Sequence, residues 1–402
     1  MTTGLTTPTS GNPLRSLLHA SHLLTADKLA AVVAEHARGF GARELVTYLA
    51  DYEQSTLLPL QGEGVAPRQE LSIGATIAGA VFRSVQPRTT TDRQGGQRLW
   101  LPLLNGVERL GVVEVVADEI TAALEEDARA YVSLVAELVV VNDAYSDTFA
   151  RLRRRKTMTL AAEMQWELLP PLTFGTDRVV ITGALEPAYD IGGDTFDYAV
   201  NADTADLLVL DAIGHGLPAA MLASAAVSAY RHARREHLDL PDIAAAMDRV
   251  IAEHFGPESF ATAVIARLDV NTGRLWWVNA GHPSPLVLRA GFVVPVKEEG
   301  QELPLGLQDT MALCHETMLE PGDRVLLYTD GVVEARSPEG DFFGEERLAE
   351  FVIRAAASGD PAPETMRLLM RRILGHQAGQ LQDDASIVFL EWATGDEQHL
   401  RL

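Results

Sequence analysis

The sequence predicts an α+β chain of two domains, and three observations carry that prediction. Its 402 residues exceed what one ordinary core organises. The first third runs helix, short strands, short helix, hairpin and long helix, the order of a helix-flanked antiparallel sheet. Beyond residue 178, short apolar runs bounded by turn residues alternate with paired helices, as in a layered sandwich. The boundaries drawn on this pattern are a tail at 1–19, a first domain at 20–145 and a linker helix with hinge at 146–171. A second domain at 172–395 and a tail at 396–402 complete the chain.

Composition narrows the function classes. At 47% hydrophobic residues the chain is globular. A formal net charge of −23 argues against a protein that wraps duplex nucleic acid, which needs a basic face. The single cysteine, Cys314, excludes an internal disulfide framework and a thiolate metal cluster. It lies in 311–315, which reads as a strand, so a packed thiol is expected. The N-terminal residues lack the apolar region of a signal peptide, and no window reaches the roughly 18 apolar residues of a membrane span. A soluble cytoplasmic protein is the expectation, with no nucleic-acid or membrane partner.

In the first domain, 26–40 has helical spacing and stops at Gly39–Phe40–Gly41. Strands are expected at 44–49, 56–60, 98–104 and 110–116, the last two joined by a hairpin loop at Asn105–Gly106, and a short helix at 72–82. The stretches Gly74–Ala75–Thr76–Ile77–Ala78–Gly79, Leu101–Pro102–Leu103–Leu104 and Leu110–Gly111–Val112–Val113–Glu114–Val115, with the helix at 125–141, resemble a GAF domain. That resemblance implies a sensor or dimerising module, with no ligand-specific signature and no assignable ligand-binding residue.

From 121 to 169 there is no Pro or Gly, which allows one long helix. Ala128, Tyr131, Val135, Leu138, Asn142, Tyr145, Phe149 and Leu152 recur at three and four residues, the spacing of a dimeric coiled coil, with Asn142 as its polar seam residue. Alternatively the helix simply covers the first domain's sheet. The basic run at 151–156 reads as a solvated face. Gln165, Trp166, Leu169 and Pro170 then form a hinge, because the paired prolines at 170 and 171 end the helix.

The second domain is organised around Gly192–Gly193–Asp194–Thr195–Phe196–Asp197. Two glycines let the backbone approach an ion closely, and a carboxylate follows at once. Gly-Gly-Asp alone is an ordinary turn. Its weight comes from Asp211, Asp330 and the pair Asp383–Asp384, each at the end of a predicted strand. Acidic side chains delivered by separate strand ends suit an oxygen-ligated divalent metal centre. After Asp211, Ala212–Ile213–Gly214–His215–Gly216 makes a flexible loop into an Ala-rich helix at 217–230.

These motifs, together with Gln165 to Pro170, Asn279–Ala280–Gly281–His282–Pro283, the stretches 303–306 and 321–334, Phe343–Gly344–Glu345 and Asp383–Asp384–Ala385–Ser386, resemble the SpoIIE/RsbU-type branch of the PPM family of metal-dependent Ser/Thr protein phosphatases. The resemblance spans 160–392 and implies an αββα sandwich with two Mn²⁺ or Mg²⁺ ions at one edge. It implies Asp194 and Asp211 as the catalytic pair that shares the ions and their water, with the Ala212 carbonyl, Asp330 and Asp383 as further ligands. Asp197, Asp384, Gly193 and Gly331 would stand behind the ligands and orient them, as would His215 and His282, for which a general acid or a phosphate contact is the alternative. Ala212 and Ile213 depart from the Val and Ser that the family often carries, but the ligand Asp is kept.

The implied substrate is a phosphorylated anti-sigma-factor antagonist of the STAS type, with a homodimer formed through the GAF-like domain and linker. A non-catalytic ligand-sensing scaffold is the alternative. A nucleotide cyclase or phosphodiesterase would need purine-recognition or His-Asp signatures that the sequence lacks.

Overall fold

Proline has no N–H to lose in the first turn of a helix, and in the computed structural model the first helix, α1 (Pro13–Ser21), starts on one. The structure describes residues 12–91, 95–189, 192–297, 300, 302–379 and 383–393. Asp190 and Ile191, ahead of the glycine pair, and both chain ends lie outside the described residues. The tail expected at 1–19 is folded from Pro13 onward, because Leu17 is fully buried in the first core. Contact density divides the chain between Lys156 and Thr157.

The first unit continues with α2 (Ala26–Ala37), β1 (Glu44–Ala50), β2 (Thr56–Pro59), β3 (Leu71–Ser72), α3 (Ile77–Ser84) and β4 (Arg88–Thr91). β5 (Gln97–Asn105), β6 (Glu108–Ala117), α4 (Ala122–Asp143) and α5 (Thr148–Arg153) complete it. Its antiparallel strands run β3-β2-β1-β6-β5-β4. One sheet face packs on α1, α2 and α4. The other lies under α3 around Tyr48, Phe82 and Trp100.

The single long helix is not formed. α4 ends at Asp143, α5 occupies six residues, and α6 (Leu160–Leu168) starts afresh in the second unit. Small polar side chains compete for the backbone here: Ser146 Oγ accepts from Thr148 N, and Thr159 Oγ1 accepts from Ala162 N as the α6 cap. The coiled-coil seam is also not available. Ala128, Tyr131, Val135, Leu138, Asn142 and Phe149 are buried in the unit's own core, and Tyr131 donates its hydroxyl to Val33 O at 2.7 Å. Asn142 bonds its own helix at Leu138 O. A sheet face needs a cover before a helix can spare that stripe for a partner.

The second unit adds β7 (Thr173–Gly175), β8 (Val179–Glu186), β9 (Asp194–Val200), β10 (Thr204–Ala212), α7 (Leu217–Arg235) and α8 (Leu240–His254). Then come β11 (Ala261–Asp269), β12 (Arg274–Ala280), β13 (Leu286–Arg289), β14 (Phe292–Val294), β15 (His315–Met318) and β16 (Arg324–Tyr328). The last elements are α9 (Asp330–Val333), α10 (Gly344–Ser358), α11 (Ala362–His376) and β17 (Ala385–Trp392). Two antiparallel sheets, β15-β12-β11-β10-β9 and β14-β13-β16-β17-β8-β7, stack on a core that includes Phe196, Val209, Trp277 and Val388. α7 and α8 cover the outer face of the first sheet, and α11 packs on β8 and β17 of the second. Among the described residues, no helix is long and apolar enough to cross a membrane.

Cys314 is exposed, against the packed thiol expected of it. The strand begins one residue later at His315, whose ring rests 5.5 Å from that of Trp277.

Val135 offers a direct test of the α4 assignment. Val135→Asp places an unpaired charge in a closed core and should cost more than about 4 kcal/mol. The first unit's unfolding transition should vanish in calorimetry. A seam between chains would instead yield a folded monomer in sedimentation.

Candidate metal centre

Successive strand residues point to opposite faces. On β10, Ala205, Leu207 and Val209 point between the sheets, while Leu208, Leu210 and Ala212 face α7 and α8. The inward row therefore ends at Asp211. On β9 the inward row is Tyr198, Phe196 and, at its end, Asp194. The two strands pair so that Asp194 stands opposite Asp211. The opposite sheet contributes two more inward rows: Val325, Leu327 and then Thr329, and from β17 Leu390, Val388, Ser386 and Asp384. Each row is apolar along its length and polar where it leaves the core.

Thr329 and Ser386 are the residues that motif reading missed. Thr329 Oγ1 donates to Asp194 Oδ2 at 2.6 Å and accepts from Ser386 N at 2.9 Å, with both residues fully buried. Continuing the alternation of Val325 and Leu327 would have pointed to Thr329. Asp384 does not extend into the open edge. Its Oδ2 accepts from the backbone N–H groups of Gly192, Gly193 (2.9 Å) and Asp194 (3.5 Å) and so holds the glycine turn to β17. Gly193 is needed there, since a Cβ would lie 2.1 Å from Ala212 O. At Gly331 a Cβ would lie 1.8 Å from Asp384 O.

The carboxylates raise one another's protonation. Burial, then Asp211 and Asp384, push Asp194 well above the usual carboxylate range. Burial, then Asp330, Asp383 and Asp384, push Asp211 up to about 7. Burial, then Glu334 and Asp383, raise Asp330. Asp384 rises to about 6 through burial, against the amides that it accepts from. The structure thus brings Asp194, Asp211, Asp330, Asp383 and Asp384 within electrostatic reach. Among the described residues, no three His, Cys, Asp or Glu side chains already stand in ligand geometry around one point. The donor set is nevertheless all oxygen and like-charged, which is the chemistry that a hard divalent cation relieves. These residues fit such an ion.

Asp197 does not join them. Three residues past Asp194 it has the opposite parity, so it faces the helices and is buried at 1% exposure. Arg231 grips it with Nε (3.2 Å) and Nη2 (2.8 Å), and Arg234 Nη1 adds a third bond at 3.1 Å. Arg231 Nη2 also donates to Leu168 O, tying the end of α6 to β9.

The two histidines differ. His215 is exposed, and its Cα and Cβ lie 3.4 Å from where a Gly192 Cβ would be, beside the Asp384 contact. His282 is buried, with Nδ1 2.7 Å from Thr262 Oγ1 and its N–H donating to Asn279 Oδ1. Thr262 is the cross-strand partner of Asp211, so His282 braces the strand beside the carboxylates. Of the residues expected in the hinge, Gln165 is fully buried with neither side-chain amide atom hydrogen-bonded among the described residues, and Trp166 Nε1 donates to Ala188 O at 2.8 Å.

Two measurements follow from these placements. Asp197→Asn should lower the melting temperature yet leave Mn²⁺ binding in calorimetry within about threefold, whereas Asp194→Asn should weaken it by more than about 100-fold. Equal losses would return Asp197 to the ion site. For His282, burial lowers the imidazole from 6.5 to about 4. The unfolded chain then binds the extra proton first, so stability falls as pH drops from 6.5 through 4, by about 3 kcal/mol in all. His282→Gln should lose that part of the acid destabilisation in urea titrations. An unchanged pH difference between wild type and variant would show that His282 titrates normally.

Comparison with known proteins bears on the same half of the chain. Residues 201–393 match the family model of Stage II sporulation protein E (SpoIIE). The chain is 25% identical over 256 residues to Protein IcfG of Synechocystis sp., covering 56% of this chain and 40% of that protein. It is 23% identical over 295 residues to Phosphoserine phosphatase RsbU of Bacillus subtilis, covering 70% and 85%. The SiaA-PP2C domain of Pseudomonas aeruginosa aligns with a TM-score of 0.49 at 24% identity, over 58% of this chain and 94% of that one. The chain therefore spans less than half the length of IcfG and most of that of RsbU. By its sequence matches, the C-terminal unit is similar over residues 201–393 to SpoIIE-type domains.

Proposed function

We propose that the chain is a metal-dependent phosphoserine/phosphothreonine protein phosphatase. The observation that carries this reading is the opposition of Asp194 and Asp211 across β9 and β10, with Thr329 and Asp384 fixing the strand end around them. Asp194, Asp211, Asp330 and Asp383, with the Ala212 carbonyl, are the groups that would hold two Mn²⁺ or Mg²⁺ ions. When bound, such ions activate water and offset charge on a phosphoryl group. The chain's own residues supply the rest. Thr329 orients Asp194, Asp384 holds the glycine turn, and His282 braces the strand that pairs with Asp211.

The substrate in this reading is a phosphorylated anti-sigma-factor antagonist, supported by similarity to RsbU over 70% of this chain. The N-terminal unit acts as a GAF-type sensor, supported by its six-stranded antiparallel sheet with helices on both faces. Gln165, Trp166, Leu169 and Pro170 form the regulatory hinge. Its support is the Trp166 bond to Ala188, four residues ahead of Gly192, and the unpartnered Gln165 amide.

Asp194→Ala and Asp330→Ala should each cut Mn²⁺-dependent phosphate release from a phosphoserine peptide more than about 100-fold. Thr329→Val should cost about 10- to 100-fold in metal affinity, since it removes only the group orienting Asp194. Undiminished turnover in either aspartate variant would remove the metal mechanism.

A further inference from the structure

The segments carrying the carboxylates, 192–197, 211–216, 330–334 and 383–386, contain no Arg or Lys. A phosphoryl group drawn to them meets no cationic side chain from the strand ends themselves. Arg324 and Arg336, each six residues from Asp330, are the basic residues nearest in sequence to any of the five carboxylates. Arg324 stands at the far end of β16 and is paired with Glu391 at 2.7 Å. Arg336 has a different setting.

After α9 the chain forms a short two-stranded ribbon. Phe343 N donates to Ala335 O at 2.8 Å and Ser337 N to Asp341 O at 2.9 Å, with Arg336 and Phe342 bridged between them. Both feet of the ribbon stand at the strand end that carries Thr329 and Asp330. At one foot, Glu334 N donates to Asp330 O at 2.7 Å. At the other, Glu345 Oε1 accepts from the Tyr328 hydroxyl at 2.6 Å. One helical turn and two extended residues separate Asp330 from Arg336, so their Cα atoms lie within about 13 Å of each other. Alternation sends Ala335 and Phe343 into the domain, where both are buried, and Arg336 and Phe342 outward, where both are exposed.

On that outer face the Arg336 guanidinium carbon lies 4.5 Å from the centre of the Phe342 ring. Among the described residues Arg336 makes no hydrogen bond or ion pair. Acidic side chains outnumber basic ones 56 to 33 in the chain, so the guanidinium is not unpaired for want of carboxylates. Stacking uses one face of the cation and steadies it. Its N–H edges stay open, and they form the fork that grips two oxygens of a phosphate at once.

We propose that Arg336 binds the phosphoryl group of the substrate's phosphoserine or phosphothreonine, with Phe342 holding the guanidinium edge toward it. The proposal rests on the phosphatase reading above, and it supplies the cationic side chain that the carboxylate segments lack. Local charge and shape select the ligand. A planar cation with parallel N–H donors matches a tetrahedral dianion, and the ribbon that carries it rises from the strand end at Asp330.

The test uses the full chain with Mn²⁺ and three probes. Inorganic phosphate is titrated by calorimetry, and p-nitrophenyl phosphate and a phosphoserine peptide are followed by turnover. Arg336→Ala should weaken phosphate binding and raise KM for both esters by about tenfold or more, with Mn²⁺ affinity and melting temperature unchanged. Arg336→Lys, which keeps the charge but not the fork, should recover part of that loss. Phe342→Leu, which removes only the stack, should weaken phosphate binding by about threefold. Phosphate binding that is absent in the wild type, or unchanged in Arg336→Ala, overturns the proposal. So does a rise in KM confined to the peptide, because Arg336 then meets acidic side chains of the polypeptide. A matching loss of Mn²⁺ affinity overturns it as well, since the residue then acts through the carboxylates. Arg336-dependent phosphate binding without turnover of either ester sustains the contact and overturns the phosphatase reading. Turnover with phosphate binding indifferent to Arg336 does the reverse.

Discussion

Two carboxylates facing each other on adjacent antiparallel strands are the constraint on which the second unit depends. Directly opposed residues stand about 5 Å apart, and two unit charges at that separation repel by about 3 kcal/mol at an effective dielectric of 20. Asp194 and Asp211 are such a pair. No full countercharge comes from Thr329, whose neutral hydroxyl fixes Asp194, and the pair is eased instead by holding protons that an ordinary carboxylate would lose. The opposition persists because the inward rows behind it, Phe196 and Tyr198 on one strand and Val209 and Leu207 on the other, lock the register. A one-residue slip would send every one of those side chains to the wrong face. The apolar core therefore pins an arrangement that electrostatics alone would push apart.

The second sheet supplies the clasp. Asp384 spans nearly two hundred positions of sequence to accept the amides of the Gly192–Gly193 turn, and Thr329 connects Asp194 to the amide of Ser386. Hydrogen bonds to buried charged groups are among the stronger ones. Both sheets thus contribute to the carboxylate edge, and its shape is set by the sandwich rather than by one loop. Gly193 and Gly331 are required because a neighbouring carbonyl occupies the space of a side chain at each. That requirement is independent of any torsional preference for glycine.

Much of this was legible in the sequence. Strand ends at Asp211 and Asp330 and the Ala-rich helix after Gly216 follow from short apolar runs and turn residues. What local pattern could not supply was parity across unlike elements. Asp197 reads as part of the same acidic motif as Asp194, and only the strand assignment of that stretch sends it to the helix side. Thr329 stood within the 321–334 motif without a role of its own, because that role exists only once β9 lies across from it. The 121–169 stretch misled for a different reason. Without Pro or Gly it carries no strong break signal, yet side-chain oxygens at Ser146 and Thr159 compete with the helix. The seam-like spacing of Tyr131, Val135 and Leu138 is equally that of a helix covering a sheet, and periodicity does not distinguish one partner surface from another.

Asp194 and Asp197 make the functional distinction within a single strand. Asp197 receives three bonds from Arg231 and Arg234, and those arginines lie along α7, whose other face is packed in the core beneath the sheet. Its charge is answered permanently by groups that cannot leave without unpacking the helix. Asp194 is oriented by a neutral hydroxyl and eased by protons, and those protons a cation can displace at no cost in packing. A carboxylate already paired with two guanidinium groups is a structural joint, and one held among like charges is chemically suited to a cation. The same backbone presents both because alternate residues of a strand face different chemical surroundings, and α7 covers only one of the two faces.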